Sequence, residues 1–251
     1  MRLIPVIAGL LAASALAQDL PNGAEVVDRY IEATGGRDAY ARIKTYTAVA
    51  VVEYAGRPNR GTFHVFQAAP DKSYSIMVLP GMDKVETGTK DGVAWERTQR
   101  RGLRLKAGEE LAAALREADP QARLNWRKYY RSAECTGVEA VDSINCFRVV
   151  MTPMVGKPET RYYDQFSGIL LRVTRIVTTQ MGEFQSEGRY ANYRLVDGIS
   201  WPHSFNQSLF SQTLMSRIES VTLNSAIPET RFDFPSDVKA LLSKPAAPPA
   251  K

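Results

Sequence analysis

Between Ile199 and Leu209 the chain is written with a period of two: Ile199, Trp201, Phe205 and Leu209 share one parity, and Ser200, Ser204, Asn206 and Ser208 share the other. That alternation belongs to a strand with one face in an apolar interior and the other in water. Most of the chain from Tyr162 to Pro235 reads the same way, with strands expected near 168–179, 183–196, 199–209 and 214–224. Earlier strands are expected near 45–54, 61–68, 73–79, 84–89 and 93–98, and two more near 132–139 and 145–153. Gly56-Arg57-Pro58-Asn59, Pro70-Asp71, Pro80-Gly81 and Asp91-Gly92 separate the early ones, and such short turn-forming links imply antiparallel neighbours.

Helical patterning is confined to two places. After Pro21-Asn22-Gly23, the residues Val26, Val27, Tyr30 and Ile31 form an apolar stripe that Gly35-Gly36 stops, and a short turn of helix follows around Asp38–Arg42. The second place, about 108–131, interrupts the strands with Leu111, Ala112, Leu115 and Ala118 on one face. Asp119-Pro120 should end that helix and open another carrying Leu124, Trp126, Tyr129 and Tyr130. With no separating linker, one β-rich domain is expected over 18–238, the helical block being an insertion into one sheet. The Pro/Ala-rich tail 239–251 is expected to be disordered.

Residues 1–17 read as a secretory signal: Arg2, a short apolar core from Leu3 to Leu16, and the small-x-small site Ala15-Leu16-Ala17. The chain carries 32 basic and 27 acidic residues. Loss of Arg2 lowers the net charge from +5 to +4, a mildly basic balance that suits anionic surfaces. Nucleic acid is not an expected partner of an exported chain. Cys135 and Cys146, the two cysteines, are expected to pair in an oxidising compartment, although a tight hairpin near Asp142-Ser143 does not place them opposite one another. That pairing needs a bulge or a wide loop.

Little in the sequence points to covalent chemistry. His64 and His203 are far apart in the chain, and no nucleophile elbow, metalloprotease motif, C-x-x-C or phosphate loop occurs. His203 shares the parity of Trp201 and Phe205, which leaves it as an interior histidine or, more remotely, the base of a hydrolase. No cofactor, metal or catalytic residue is expected. The basic run Arg97, Arg100, Arg101, Arg104 and Lys106 is a candidate docking surface, with Arg123, Arg127, Lys128 and Arg131 as a second group among aromatic residues.

Three segments carry a family pattern: Arg161–Arg172 (RYYDQFSGILLR), Tyr193–Pro202 (YRLVDGISWP), and Ile218–Ile227 (IESVTLNSAI) with Phe232 and Pro235. Together with Ala33-Thr-Gly-Gly36, Pro80-Gly81 and Gly92-Val-Ala-Trp95, they resemble the bacterial outer-membrane lipoprotein-sorting (LolA/LolB-like) superfamily, in a less characterised branch. The resemblance implies a mainly β (α+β) fold: one strongly curved antiparallel sheet forming an incomplete barrel, with helices covering its concave face. It also implies a periplasmic, monomeric, non-enzymatic carrier of a lipid or lipoprotein acyl chain. Expected cavity residues are Phe63, Val65, Ile76, Val78, Trp95, Leu171, Val173, Trp201, Phe205 and Leu209; expected lid residues are Leu111, Leu115, Trp126, Tyr129 and Tyr130. The residues themselves leave open whether the interior is a cavity or a packed core. The competing reading is an interaction module that docks on an anionic membrane surface or a protein partner.

Overall fold

The computed structural model describes residues 19–179 and 182–243. The signal reading of 1–17 lies outside them, as does the tail from 244 onward. Thirteen strands form one antiparallel sheet that does not close, in the order β6-β5-β4-β3-β2-β1-β13-β12-β11-β10-β9-β8-β7. The first meander runs outward through β1 (Thr45–Tyr54), β2 (Arg60–Ala68), β3 (Lys72–Val78), β4 (Val85–Lys90), β5 (Val93–Thr98) and β6 (Gly102–Leu105). The second returns from the far edge through β7 (Tyr130–Val141), β8 (Ile144–Pro153), β9 (Glu159–Asp164), β10 (Leu170–Thr179), β11 (Gly182–Val196), β12 (Ile199–Leu209) and β13 (Gln212–Leu223). The last strand then pairs with the first, from Tyr46 opposite Leu223 to Tyr54 opposite Leu214.

Turn chemistry sets the registers. Asp91-Gly92, Asp142-Ser143 and Asp197-Gly198 all have both central residues at positive φ, the geometry that a two-residue hairpin needs to match strand twist. The strands β6 and β9 lie outside the expected set: the four residues of β6 are too few to display a period, and β9 buries Glu159, Tyr162 and Tyr163, which do not alternate.

Helix α1 (Gly23–Ala33), capped by the Asn22 side chain on Ala24 N at 2.8 Å, packs on β7 and β8. Gly23 permits the approach: a Cβ there would lie 2.4 Å from the Ala133 carbonyl oxygen. Val26, Val27, Tyr30 and Ile31 bury against Val149, Met151 and Tyr163 from the sheet, and α2 (Arg37–Ala41) adds Tyr40 to the same core. The insertion bridges the gap between the two sheet edges, with α3 (Gly108–Ala118) on β4 and β5 and α4 (Trp126–Tyr129) on β7. Asp119-Pro120 does not open a regular helix as expected. The Asp119 side chain accepts from Gln121 N at 2.8 Å and its carbonyl from Ala122 N at 3.0 Å, which holds a turn instead.

The opposite face of β3–β5 is also covered. A 3-10 turn (Glu229–Phe232) packs on β3 and β4, and α5 (Ser236–Leu242) carries the fold past the expected boundary at 238. Arg231 stacks over Phe66 and Tyr74, Asp237 pairs with Arg97 at 2.5 Å, and Phe232 and Val238 are buried.

The expected disulfide is absent. Cys135 and Cys146 are free, and they lie on opposite faces of the β7–β8 hairpin. Cys135 pairs with Val149 and joins the main core, whereas Cys146 pairs with Glu139 and packs with Val141, Tyr162 and Leu171. The register shift between Cys135 and Gly137 is a bulge of the kind required, but it leaves the two thiols on different sides of the sheet. Burial pushes the Cys146 thiol up to about 11.

Candidate functional site: a cavity between sheet and insertion

The helices do not fill the concave face. A cavity of about 340 Å³ remains, which places it at the small end of the ~300–1,000 Å³ typical of ligand pockets. Its floor is Tyr46 and Gln67 on β1 and β2, Glu159 and Arg161 on β9, Leu170, Val173 and Arg175 on β10, Ser186, Gly188 and Tyr190 on β11, and Trp201, Phe205 and Gln207 on β12. Its roof is Tyr30 of α1, with Arg116, Glu117, Asp119, Arg123, Trp126 and Tyr130 from the insertion and its end.

Register explains which expected residues reach it. Paired residues share a face, and Tyr46 pairs with Gln67, Ala48 with Val65, and Ala50 with Phe63. Phe63 and Val65 therefore stand on the cavity's face, but further along the strands and outside its lining. Val173, Trp201 and Phe205 line it; Leu209 shares their face beyond it, opposite Ser186. Ile76 and Val78 pair with His64 and Thr62 on the other face, and Val78 is exposed. Trp95 is also on that convex face, opposite Gly88, where it is buried beside Tyr74 and beneath Arg97. Leu171 sits where the β9–β10 register shifts and packs away from the cavity with Cys146. Of the expected lid residues, Trp126 and Tyr130 line the cavity; Leu111, Leu115 and Tyr129 do not.

Residues outside the sequence-derived set give the site its character. Four guanidinium groups (Arg116, Arg123, Arg161, Arg175) line the cavity against three carboxylates (Glu117, Asp119, Glu159). Tyr130 Oη donates to Glu159 Oε1 at 2.8 Å and accepts from Arg161 Nη2 at 2.7 Å, while Arg161 and Glu159 pair at 2.6 Å. Burial raises the Glu159 carboxyl, but Arg161, Arg116 and the Tyr130 hydroxyl outweigh it and hold the group below its ordinary value. Burial keeps the Tyr46, Tyr130 and Tyr190 phenols protonated by pushing them up. Tyr190 stacks on Phe205 at 4.9 Å, and the Arg123 guanidinium lies 4.3 Å over the Trp201 ring. Of the aromatic members, Trp201 and Phe205 were legible as inward parity positions and Trp126 and Tyr130 as lid residues, whereas Tyr46 and Tyr190 were not singled out. Glu159, Arg161 and Arg175 broke the strand alternation and so were passed over, while Arg123, on the insertion, had been placed in a surface basic group.

The roof is fastened to α1. Asp28 accepts from Trp126 Nε1 at 3.1 Å and from Arg127 Nη1 and Nη2 at 3.0 and 2.7 Å. Arg127 also stacks on Trp126, and Lys128 on Tyr129. Arg131 donates to the Pro153 and Met154 carbonyls.

The candidate docking run is largely neutralised. Arg97 pairs with Glu86 and Asp237, Arg100 with Asp83, Arg104 with Glu96 and Glu110, and Lys106 with Glu96. Arg97 and Arg104 also point to opposite faces, since Arg97 pairs with Leu103 and Arg104 with Glu96. Arg100 and Arg101 instead border a second hollow of about 240 Å³ at the rim, with Met77, Leu79, Met82 and Val85.

His203 is buried, with Nδ1 at 3.0 Å from the Trp201 carbonyl, and His64 lies on the convex face opposite Ile76. Among the described residues neither histidine nor either cysteine lines the cavity, and the one aliphatic hydroxyl there, Ser186, accepts from Gln207 at 3.4 Å. Among the described residues no group of three or more His, Cys, Asp or Glu is arranged to hold a metal ion. The cavity offers aromatic faces and hydrogen-bond donors, the groups with which ligand pockets bind and orient their ligands.

No family model and no curated protein matches the sequence. Solved structures do match. A LolA superfamily protein from Nitrosomonas europaea superimposes with a TM-score of 0.57 at 10% identity, over 85% of this chain and 98% of that one. A DUF1329 family protein from Desulfovibrio piger gives 0.56 at 13% identity, over 84% and 97%. A domain described as an outer membrane lipoprotein-sorting protein, from Vibrio parahaemolyticus, gives 0.53 at 10% identity, over 88% and 98%. At these identities the likeness is one of fold, and the fold is the LolA-like open barrel with helices on its concave face.

Proposed function

We propose that this chain of LolA-like fold is a non-covalent carrier or binding protein for a hydrophobic ligand, a lipid or lipoprotein acyl chain, working in the periplasm after export. The observation that supports this reading is the unfilled space of about 340 Å³ between an aromatic floor and a helical roof. Well-packed interiors leave few voids larger than a water molecule, and a space of this size would otherwise hold on the order of ten waters at ~30 Å³ each. Burying ten methylenes gains about 8 kcal/mol, against several kcal/mol of lost translational and rotational freedom. A single chain or ring system of that size suffices for measurable affinity without covalent chemistry.

The test is native mass spectrometry of protein purified without detergent, followed by solvent extraction. A stoichiometric lipid or acylated peptide is the expected result. Val173→Trp, which fills the floor, should abolish loading while the circular dichroism spectrum is retained. Protein that arrives empty and ignores added fatty acids and phospholipids would overturn the reading.

A further inference from the structure

The charges in the cavity do not balance internally. Glu159 is committed to Arg161 and Tyr130, Glu117 to Arg175 at 3.3 Å, and Asp119 to the Tyr129 hydroxyl at 2.7 Å and Gln121 N. Arg123 has no carboxylate partner among the described residues. Its one hydrogen bond, Nη1 to Tyr40 Oη, is a long 3.5 Å, and that hydroxyl already bonds Thr34 Oγ1 at 2.8 Å. A guanidinium carries five N–H donors, so most of Arg123's are unmet, and it rests on the faces of Trp201 and Tyr30 at 4.3 and 5.9 Å. Trp201 beneath it is only 7% exposed, lines the same cavity, and its Nε1–H has no hydrogen-bond partner. A guanidinium short of acceptors beside a buried indole N–H that has none forms an incomplete site, because the buried donor is costly until an acceptor arrives.

We infer that Arg123 and the Trp201 indole N–H receive the oxyanion head of an amphipathic ligand, a carboxylate or a phosphate, whose apolar chain lies along Leu170, Val173 and Phe205. Charge-assisted bonds from a planar guanidinium suit either oxyanion, and the aromatic stacking holds the fork in place before the ligand enters. The inference rests on the carrier reading and deepens it: the cavity selects by head group as well as by chain.

The test titrates the unmodified protein, below micellar concentrations, with dodecanoate, dodecyl phosphate and dodecanol, following tryptophan fluorescence and confirming stoichiometry by native mass spectrometry. The anions should bind about 10–100-fold tighter than the alcohol, the range expected of hydrogen bonds to a charged group. Their order would tell a carboxylate source from a phosphate source. Arg123→Gln should erase the preference, bringing the two anions to the same affinity as dodecanol in that variant, and Arg123→Lys should restore part of it. Equal binding of all three by the unmodified protein overturns the head-group inference while the carrier reading stands. Preference that survives Arg123→Gln overturns the assignment to Arg123. Binding of none of the three defeats the carrier reading itself. The comparison of probes on the unmodified protein needs no variant, so a folding defect in Arg123→Gln does not blunt it.

Discussion

Asp28→Ala tests how the roof is held. The substitution removes the acceptor of three donors at once, from the Trp126 indole and from both Arg127 terminal nitrogens. The two losses differ in kind. Arg127 and Asp28 side chains are 54% and 34% exposed, and an exposed pair contributes about 0.2–1 kcal/mol. Trp126 is 4% exposed, so its N–H would be stranded away from water at a cost of about 1–3 kcal/mol. The sum, about 1–4 kcal/mol, corresponds to a Tm lowered by about 2–16 °C in a domain of this size. The assay is thermal or urea unfolding in a double-mutant cycle with Trp126→Phe. In the phenylalanine background no N–H remains to strand, so Asp28→Ala should cost only the exposed pair and the coupling should be about 1–3 kcal/mol. The Arg127 and Trp126 hydrogen bonds also hold the Asp28 carboxyl below its ordinary range. Its contribution is therefore present above the unfolded pKa and fades as pH falls through the lower folded value. Coupling within about 0.3 kcal/mol of zero would refute the argument that the indole bond, not the ion pair, fastens the roof.

Three further outcomes follow from other parts of the molecule. Glu159→Gln leaves the Arg161 guanidinium uncompensated and should cost about 3–5 kcal/mol in urea unfolding. Because the folded pKa of Glu159 lies below its ordinary 4.5, stability from this pair is complete above that value and lost as pH falls through the folded one; the variant should lack that acid-dependent loss. For the thiols, a reagent assay on native protein should modify the half-buried Cys135 and spare Cys146 until denaturant is added, with no change in Tm on adding reductant. A Tm that drops under reduction would contradict the free-thiol arrangement. Trp95→Ala should cost about 3–5 kcal/mol by opening the convex core, yet leave ligand affinity unchanged because that ring faces away from the cavity. A ligand defect there would mean that the face assignment is wrong.

The period of two in the sequence determined strand content, antiparallel connectivity and the boundaries of the long strands, because side-chain alternation is a local property of extended backbone. The apolar stripe and glycine stop of α1 were equally local, and so was the interruption at Gly108. What local pattern does not carry is which face of a strand becomes the concave one. On β3–β5 both faces are covered, one by the insertion and the other by the C-terminal 3-10 turn and α5, so Trp95 and Ile76 looked inward and belong outside. The register shift beside Leu171 turned that residue to the convex side, and the one beside Thr136 turned Cys135 to the face opposite Cys146, consequences of pairing that the sequence alone does not display. The inward Arg161, Arg175 and Glu159 violate the alternation that marks a core, and they are tolerable only where tertiary partners or an unfilled space receive their charges. The sequence thus determined that a sheet with one apolar side would form. Only the long-range pairing of β1 with β13 and the seating of the insertion across the open edges decided where the cavity lies, because both join residues too distant in the chain for any local preference to bring together.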